Sequence, residues 1–215
     1  RRYVMRENSY PVIDGDGHVM ERGDELVKFL GKTYSSSAGK DGTLVQTSPL
    51  FPALDGWARS SNTSSPGRRD HPDCDIWVSF LDDCGIEKTV VYPTAGLAFG
   101  LIQDASWAAD LASAYNSWLH AQYMQKTPRV LGAALIPIHN VEAAIVEMRR
   151  AKKELGMPAA VLPSVTSLGK GYGHESFFPI YEAACELDMA LSIHGAPSRG
   201  LGFDFLHIVS SQQFF

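Results

Sequence analysis

The sequence predicts an α/β fold in which short strands of a parallel sheet alternate with longer helices. Two observations predict it. From residue 86 onward, short apolar runs alternate with stretches of helical periodicity, the pattern of successive βα units. Two strand ends far apart in the chain also carry metal-ligating side chain types, as a site at the carboxyl rim of parallel strands requires.

The elements follow in order. The first strand is read over residues 11–14 and the second over 87–93, Glu-Lys-Thr-Val-Val-Tyr-Pro. Across residues 103–125, Trp107, Leu111, Ala114, Tyr115, Trp118 and Leu119 recur at helical spacing. Residues 130–136 form the third strand, halted by Pro137. Asn140 caps the next helix, Glu142 sits in its first turn, its apolar face runs from Ala144 to Leu155, and Gly156 ends it. A strand over 159–162, a helix over 177–187, a strand over 189–193 and a last helical stretch over 203–212 complete the series.

Five βα units in sequence imply a parallel sheet. A (β/α)8 barrel typically needs about 250 residues, so these units are either the first part of such a barrel or a complete open sheet of five strands, and both bind ligands at the carboxyl ends of the strands. One domain over residues 1–215 is expected, with an insertion at 31–72 rich in Ser, Gly, Pro and Asn. Unpatterned loops this long are often lids. Trp57 and Arg59 within it are candidate substrate contacts.

Composition narrows the class. With 215 residues, 45% hydrophobic and 20% charged, the chain is long enough to bury a core. A net charge of −5 and no basic run beyond Arg68-Arg69 argue against a nucleic-acid partner. Three widely spaced cysteines, Cys74, Cys84 and Cys185, fit neither a disulfide framework nor a zinc ribbon, so a reducing, cytoplasmic location is expected. No apolar run approaches 18 residues, so no membrane partner is expected.

The chemistry concentrates in Val12-Ile13-Asp14-Gly15-Asp16-Gly17-His18-Val19-Met20-Glu21. Strand alternation places Asp14, Asp16 and His18 on one face, where carboxylate and imidazole can share a divalent cation, Zn²⁺ or Mn²⁺, with Gly15 and Gly17 leaving room around it. A turn after an edge strand would also use Asp and Gly. His194 favours the metal, because it ends the run Met189 to Ile193 just before Gly195 and an ensuing proline.

Taken with Phe80-Leu-Asp-Asp-Cys84-Gly-Ile-Glu87, Val91-Tyr-Pro-Thr94, Leu111-Ala-Ser-Ala-Tyr115-Asn116-Ser-Trp118, Leu135-Ile-Pro137, Phe178-Pro-Ile-Tyr181 and Ile193-His-Gly195, this segment resembles the amidohydrolase superfamily, in the branch of aminocarboxymuconate-semialdehyde and aromatic-acid decarboxylases. The resemblance covers roughly residues 10–207. It implies a metal-dependent (β/α)8 barrel of which this chain holds the first five βα units. It also implies one divalent ion, Zn²⁺ or Mn²⁺, held by Asp16 and His18 on the first strand and His194 on the fifth. Asp16 stands where a first His is commoner, and the family's sixth-strand His and eighth-strand Asp have no counterpart.

The implied activity is metal-dependent decarboxylation of an aromatic or unsaturated carboxylic acid. A hydrolase using metal-bound hydroxide on a lactone, amide or ester is the alternative, and a truncated, non-catalytic pairing module is a third. Tyr92, Thr94 and Phe99, which follow or end the second strand, are expected to line the pocket. His139 after the third strand and His207 are candidate proton donors, and a homo-oligomer is expected.

Overall fold

In a computed structural model, residues 10–32, 50–52, 72–164 and 166–195 are described. Five strands, β1 (Ile13–Val19), β2 (Lys88–Pro93), β3 (Val130–Leu135), β4 (Ala159–Pro163) and β5 (Ala190–His194), form one sheet in the order β1-β2-β3-β4-β5. Every neighbouring pair is parallel. Among the described residues a single helical turn, Gly23–Leu26, follows β1, and four longer helices lie between the strands: α1 (Cys74–Cys84), α2 (Ala105–Leu119), α3 (Val141–Lys153) and α4 (Phe178–Leu187).

Local chemistry explains the helix boundaries. Asp73, Asp104 and Asn140 each accept a backbone N–H of the first turn, from Ile76, from Ser106 and Trp107, and from Ala143 respectively. Gly85 closes α1 in the left-handed conformation at φ 66°, a position open to glycine at little cost. Helix α2 runs on into a π-helical turn, His120–Met124, which together account for the long periodic stretch expected over 103–125.

Two elements differ from expectation. Helix α1 was not among the periodic segments, although Asp73, Gly85 and the apolar positions Ile76, Trp77, Phe80 and Leu81 bracket and fill it. Strand β1 continues to Val19, so Asp16 and His18 lie within the strand rather than after it. The helical stretch expected at 203–212 lies outside the described residues, as does most of the insertion at 31–72; Leu50 and Phe51 from it are buried in the core.

The sheet curls. Strands β1 and β5 are four steps apart, which in a flat sheet would separate them by about 19 Å at ~4.8 Å per step. Instead, a His18 nitrogen on β1 lies 3.0 Å from one of His194 on β5. Likewise, the Tyr92 hydroxyl on β2 donates to Ser192 Oγ on β5 at 3.0 Å. This curvature makes a half-barrel and removes the open-sheet alternative.

The core fills the space between the outer face of the sheet and the helices, where Leu111, Tyr115, Trp118 and Leu119 of α2 are buried and a Cβ on Gly132 of β3 would stand 2.7 Å from the Leu119 side chain. One buried polar cluster sits within it. Asn116 Nδ2 donates to the Leu135 carbonyl at 2.9 Å and to Glu147 Oε1 at 2.6 Å, while its Oδ1 accepts the Leu135 N–H at 2.9 Å. Arg150 closes the cluster on Glu147 at 2.7 Å. Cys74, Cys84 and Cys185 are free thiols. No helix among the described residues is long and apolar enough to cross a membrane.

Candidate metal centre

The site begins with an irregularity in β1. Asp14 pairs with Thr89 and Gly17 with Val91, so β1 spends three steps where β2 spends two. One extra residue reverses the facing of everything before it. Asp14 therefore departs from the face expected of it: its carboxylate accepts the Thr89 hydroxyl at 2.7 Å and the Asp16 N–H at 3.1 Å. Gly17 also differs in role. A Cβ there would lie 2.4 Å from Thr89 Oγ1 and 3.1 Å from the Trp77 ring, so its smallness serves the packing of β1 on β2 and α1 rather than leaving room at the metal.

Beyond the bulge, Asp16 and His18 face His194. One ligand atom from each lies within 4.8 Å of the others. His194 Nε2 is 3.0 Å from His18 Nε2 and 3.1 Å from Asp16 Oδ1, and His18 Nε2 is 3.8 Å from that oxygen. Each imidazole is fixed through its other nitrogen. His18 Nδ1 lies 3.0 Å from the Pro93 carbonyl and His194 Nδ1 lies 2.8 Å from the Gly195 carbonyl.

A carbonyl can only accept, so both Nδ1 atoms carry the proton. Two Nε2 lone pairs and a carboxylate oxygen are thus aimed at one another, an arrangement that repels itself unless a cation lies among them. Donor separations near 3–4 Å suit an ion bound at ~2.0–2.2 Å, and imidazoles anchored at Nδ1 are the usual second layer of such a site. Burial pushes the His18 pKa down, and the neighbouring His194 pushes it further, while the Pro93 carbonyl and the Asp16 and Asp14 carboxylates oppose them. For His18 the neutral imidazole, the ligating form, is thereby favoured.

Tyr92 stands beside this cluster, its ring centroid 5.2 Å from that of His194 and 6.2 Å from that of His18. Thr94 turns its hydroxyl to the Val19 carbonyl at 2.8 Å. Phe99 is fully buried and meets the His139 ring edge-on at 5.5 Å. Neither His139 nitrogen makes a hydrogen bond among the described residues, and burial lowers its pKa against the weaker opposing pull of the Gly100 and Ile102 carbonyls. Trp57, Arg59 and His207 lie outside the described residues.

Sequence reasoning missed two participants. Ser192 receives the Tyr92 hydroxyl, and its alternation with His194 on β5 was the available signal. Glu21 accepts the backbone N–H groups of Thr94, Ala95 and Gly96 at 3.2, 2.9 and 2.8 Å. Its partners are main-chain groups more than seventy residues away, which leave no mark on its neighbourhood in sequence. Burial raises the Glu21 pKa, and the three N–H donors hold it back.

The chain is similar to known proteins in sequence and in fold. The chain is 34% identical over 124 residues to 2-amino-3-carboxymuconate-6-semialdehyde decarboxylase of Dictyostelium discoideum, covering 57% of this chain and 33% of that protein. It is 27% identical over 122 residues to gamma-resorcylate decarboxylase of Polaromonas sp. (strain JS666 / ATCC BAA-500), covering 54% and 37%. In fold it is similar to 5-carboxyvanillate decarboxylase from Novosphingobium aromaticivorans, solved as a D314N mutant with manganese and 3-methoxy-4-hydroxy-5-nitrobenzoic acid. That likeness has a TM-score of 0.63 at 23% identity and covers 88% of this chain and 52% of the other. The matches thus span about a third of the curated relatives and half of the solved structure. The amidohydrolase family profile matches residues 13–212, nearly the whole chain, and so takes in both strand ends that carry the Asp-x-His pair and the facing His; the chain belongs to the amidohydrolase family.

Proposed function

We propose that this chain belongs to a metal-dependent decarboxylase acting on an aromatic or unsaturated carboxylic acid, with Asp16, His18 and His194 holding one divalent ion, Mn²⁺ or Zn²⁺. The observation that carries the reading is the pair of Nδ1-anchored imidazoles whose Nε2 atoms face each other at 3.0 Å beside Asp16. The relatives' decarboxylase names favour carbon–carbon cleavage over hydrolysis, and the manganese in the solved relative favours Mn²⁺.

Such an ion supplies Lewis acidity and a template for the substrate's carboxylate. The protein's part is to orient and protonate. Tyr92, tied to Ser192, forms a wall beside the cluster for a planar substrate. The carbon that loses CO₂ keeps the bonding pair and takes up a proton, for which His139 is the proposed donor, with one ring N–H uncommitted among the described residues. A homo-oligomer in the cytoplasm completes the reading.

The test combines metal titration with a panel of hydroxylated benzoates and unsaturated acids scored for CO₂ release. One ion per chain and metal-dependent release are expected, with His139→Phe losing turnover while keeping metal affinity. A chain that takes up no divalent ion, or that opens lactones and releases no CO₂, would overturn it.

A further inference from the structure

We propose that Glu21 is a positioning residue for the metal centre, acting through the Pro93–Thr94 peptide bond. The proposal rests on the reading of Asp16, His18 and His194 as metal ligands. A peptide unit is planar, and its C=O and N–H point in opposite directions. The Pro93 carbonyl of this unit receives His18 Nδ1–H at 3.0 Å, and the Thr94 N–H of the same unit is received by Glu21 Oε2 at 3.2 Å. Glu21 therefore grips one end of the plane whose other end sets the His18 tautomer and ring angle.

The grip is reinforced. Ala95 and Gly96 donate to the same carboxylate at 2.9 and 2.8 Å, and Thr94 Oγ1 donates to the Val19 carbonyl at 2.8 Å. The turn after β2 is thereby tied to the end of β1 on both sides of Met20. Gly96 is required for this approach, since a Cβ there would stand 2.6 Å from Pro93 Cβ and 3.1 Å from Glu21 Oε1. A carboxylate shielded from water is costly unless fully hydrogen-bonded, and here its partners are backbone groups that lead directly to a metal ligand. A serial chain of carboxylate, peptide and imidazole also polarises each bond along it.

The experiment compares Mn²⁺ affinity, by calorimetry on the 215-residue chain, in wild type, Glu21→Ala, Glu21→Gln, Gly96→Ala and the exposed control Glu182→Ala. Loss of a second-layer partner typically costs about 10–100-fold in metal affinity. That loss is expected in Glu21→Ala and Gly96→Ala, a smaller one in Glu21→Gln, whose amide oxygen still accepts, and none in Glu182→Ala. Imidazole ¹⁵N spectra of the metal-free proteins give a readout that general destabilisation would not move: His18 should lose its fixed Nδ1–H form in the Glu21 and Gly96 variants, while His194 keeps its own, as does His120, whose Nδ1 lies 3.1 Å from the Leu155 carbonyl. If Glu21→Ala fails to fold, Gly96→Ala and Glu21→Gln carry the test. Wild-type binding with unchanged affinity and His18 tautomer in these variants overturns the role of Glu21 alone. A wild-type chain that binds no Mn²⁺ overturns the metal reading and this proposal with it.

Discussion

At the scale of the residue, the site is a problem of protons. His18 and His194 commit Nδ1–H to carbonyls, so only their Nε2 lone pairs are left to meet Asp16. Removing one of them takes away a donor itself rather than its support. His194→Ala should accordingly weaken Mn²⁺ binding by more than the ~10–100-fold typical of a second-layer loss, as calorimetry would measure. His139 offers a test of sign. Its folded pKa lies below the ordinary imidazole value of 6.5 because burial disfavours the cation. Above that value both states are neutral and nothing changes. As pH falls below it, the unfolded chain takes a proton that the folded one resists, so stability drops toward the folded pKa. His139→Phe should flatten denaturation midpoints between pH 7 and 5 relative to wild type; because the ring is only partly shielded, the slope removed falls short of ~1.4 kcal/mol per pH unit. An identical slope in both proteins would refute the assignment.

Among elements, what could be read in the sequence tracks how local its causes are. Strands β2 to β5 and helices α2 to α4 announce themselves by apolar period and by caps such as Asn140, and all lie where expected to within a few residues. Helix α1 carried the same kind of signal but follows a long unpatterned segment. The bulge between Asp14 and Gly17 carried none: it depends on Thr89 and Trp77, brought in from other elements, and it alone decides that Asp14 leaves the metal face while Asp16 and His18 stay. His194 was legible because a strand end followed by glycine is a local pattern, whereas the clamp by Glu21 on a distant turn was not. Asn116 shows the same limit, since nothing beside it in sequence reveals that its amide pairs with both backbone groups of Leu135. Asn116→Leu keeps the branched outline but leaves those groups without the amide and takes one donor from the Glu147 carboxylate that Arg150 also holds. It should cost roughly 2–4 kcal/mol in chemical denaturation, and a loss below ~1 kcal/mol would show that the cluster is dispensable.

For the whole molecule, the decisive feature is that the half-barrel has two lateral edges. Among the described residues β1 pairs only with β2, and β5 only with β4, so each presents unpaired backbone groups. Ile13 on β1 is 60% exposed and Ile193 on β5 is 46% exposed, where apolar side chains of barrel strands would ordinarily be covered. Unprotected parallel edges with apolar side chains recruit another chain. The matched decarboxylase structure is about twice as long as the region it shares with this chain, so residues of this chain outside the described ones, further chain and a second copy are the ways of covering these edges. They differ in their dependence on concentration. The 215-residue chain on its own should self-associate across the micromolar range in sedimentation velocity. Ile193→Lys, which puts a charge on an edge strand in the manner natural sheets use to block pairing, should shift it toward monomer. The lysine falls on the opposite face of β5 from Ser192 and His194, so Mn²⁺ affinity should be kept if the metal centre is assembled within one half-barrel. A wild-type chain that stays monomeric throughout would mean that these edges are covered from within, by residues other than those described.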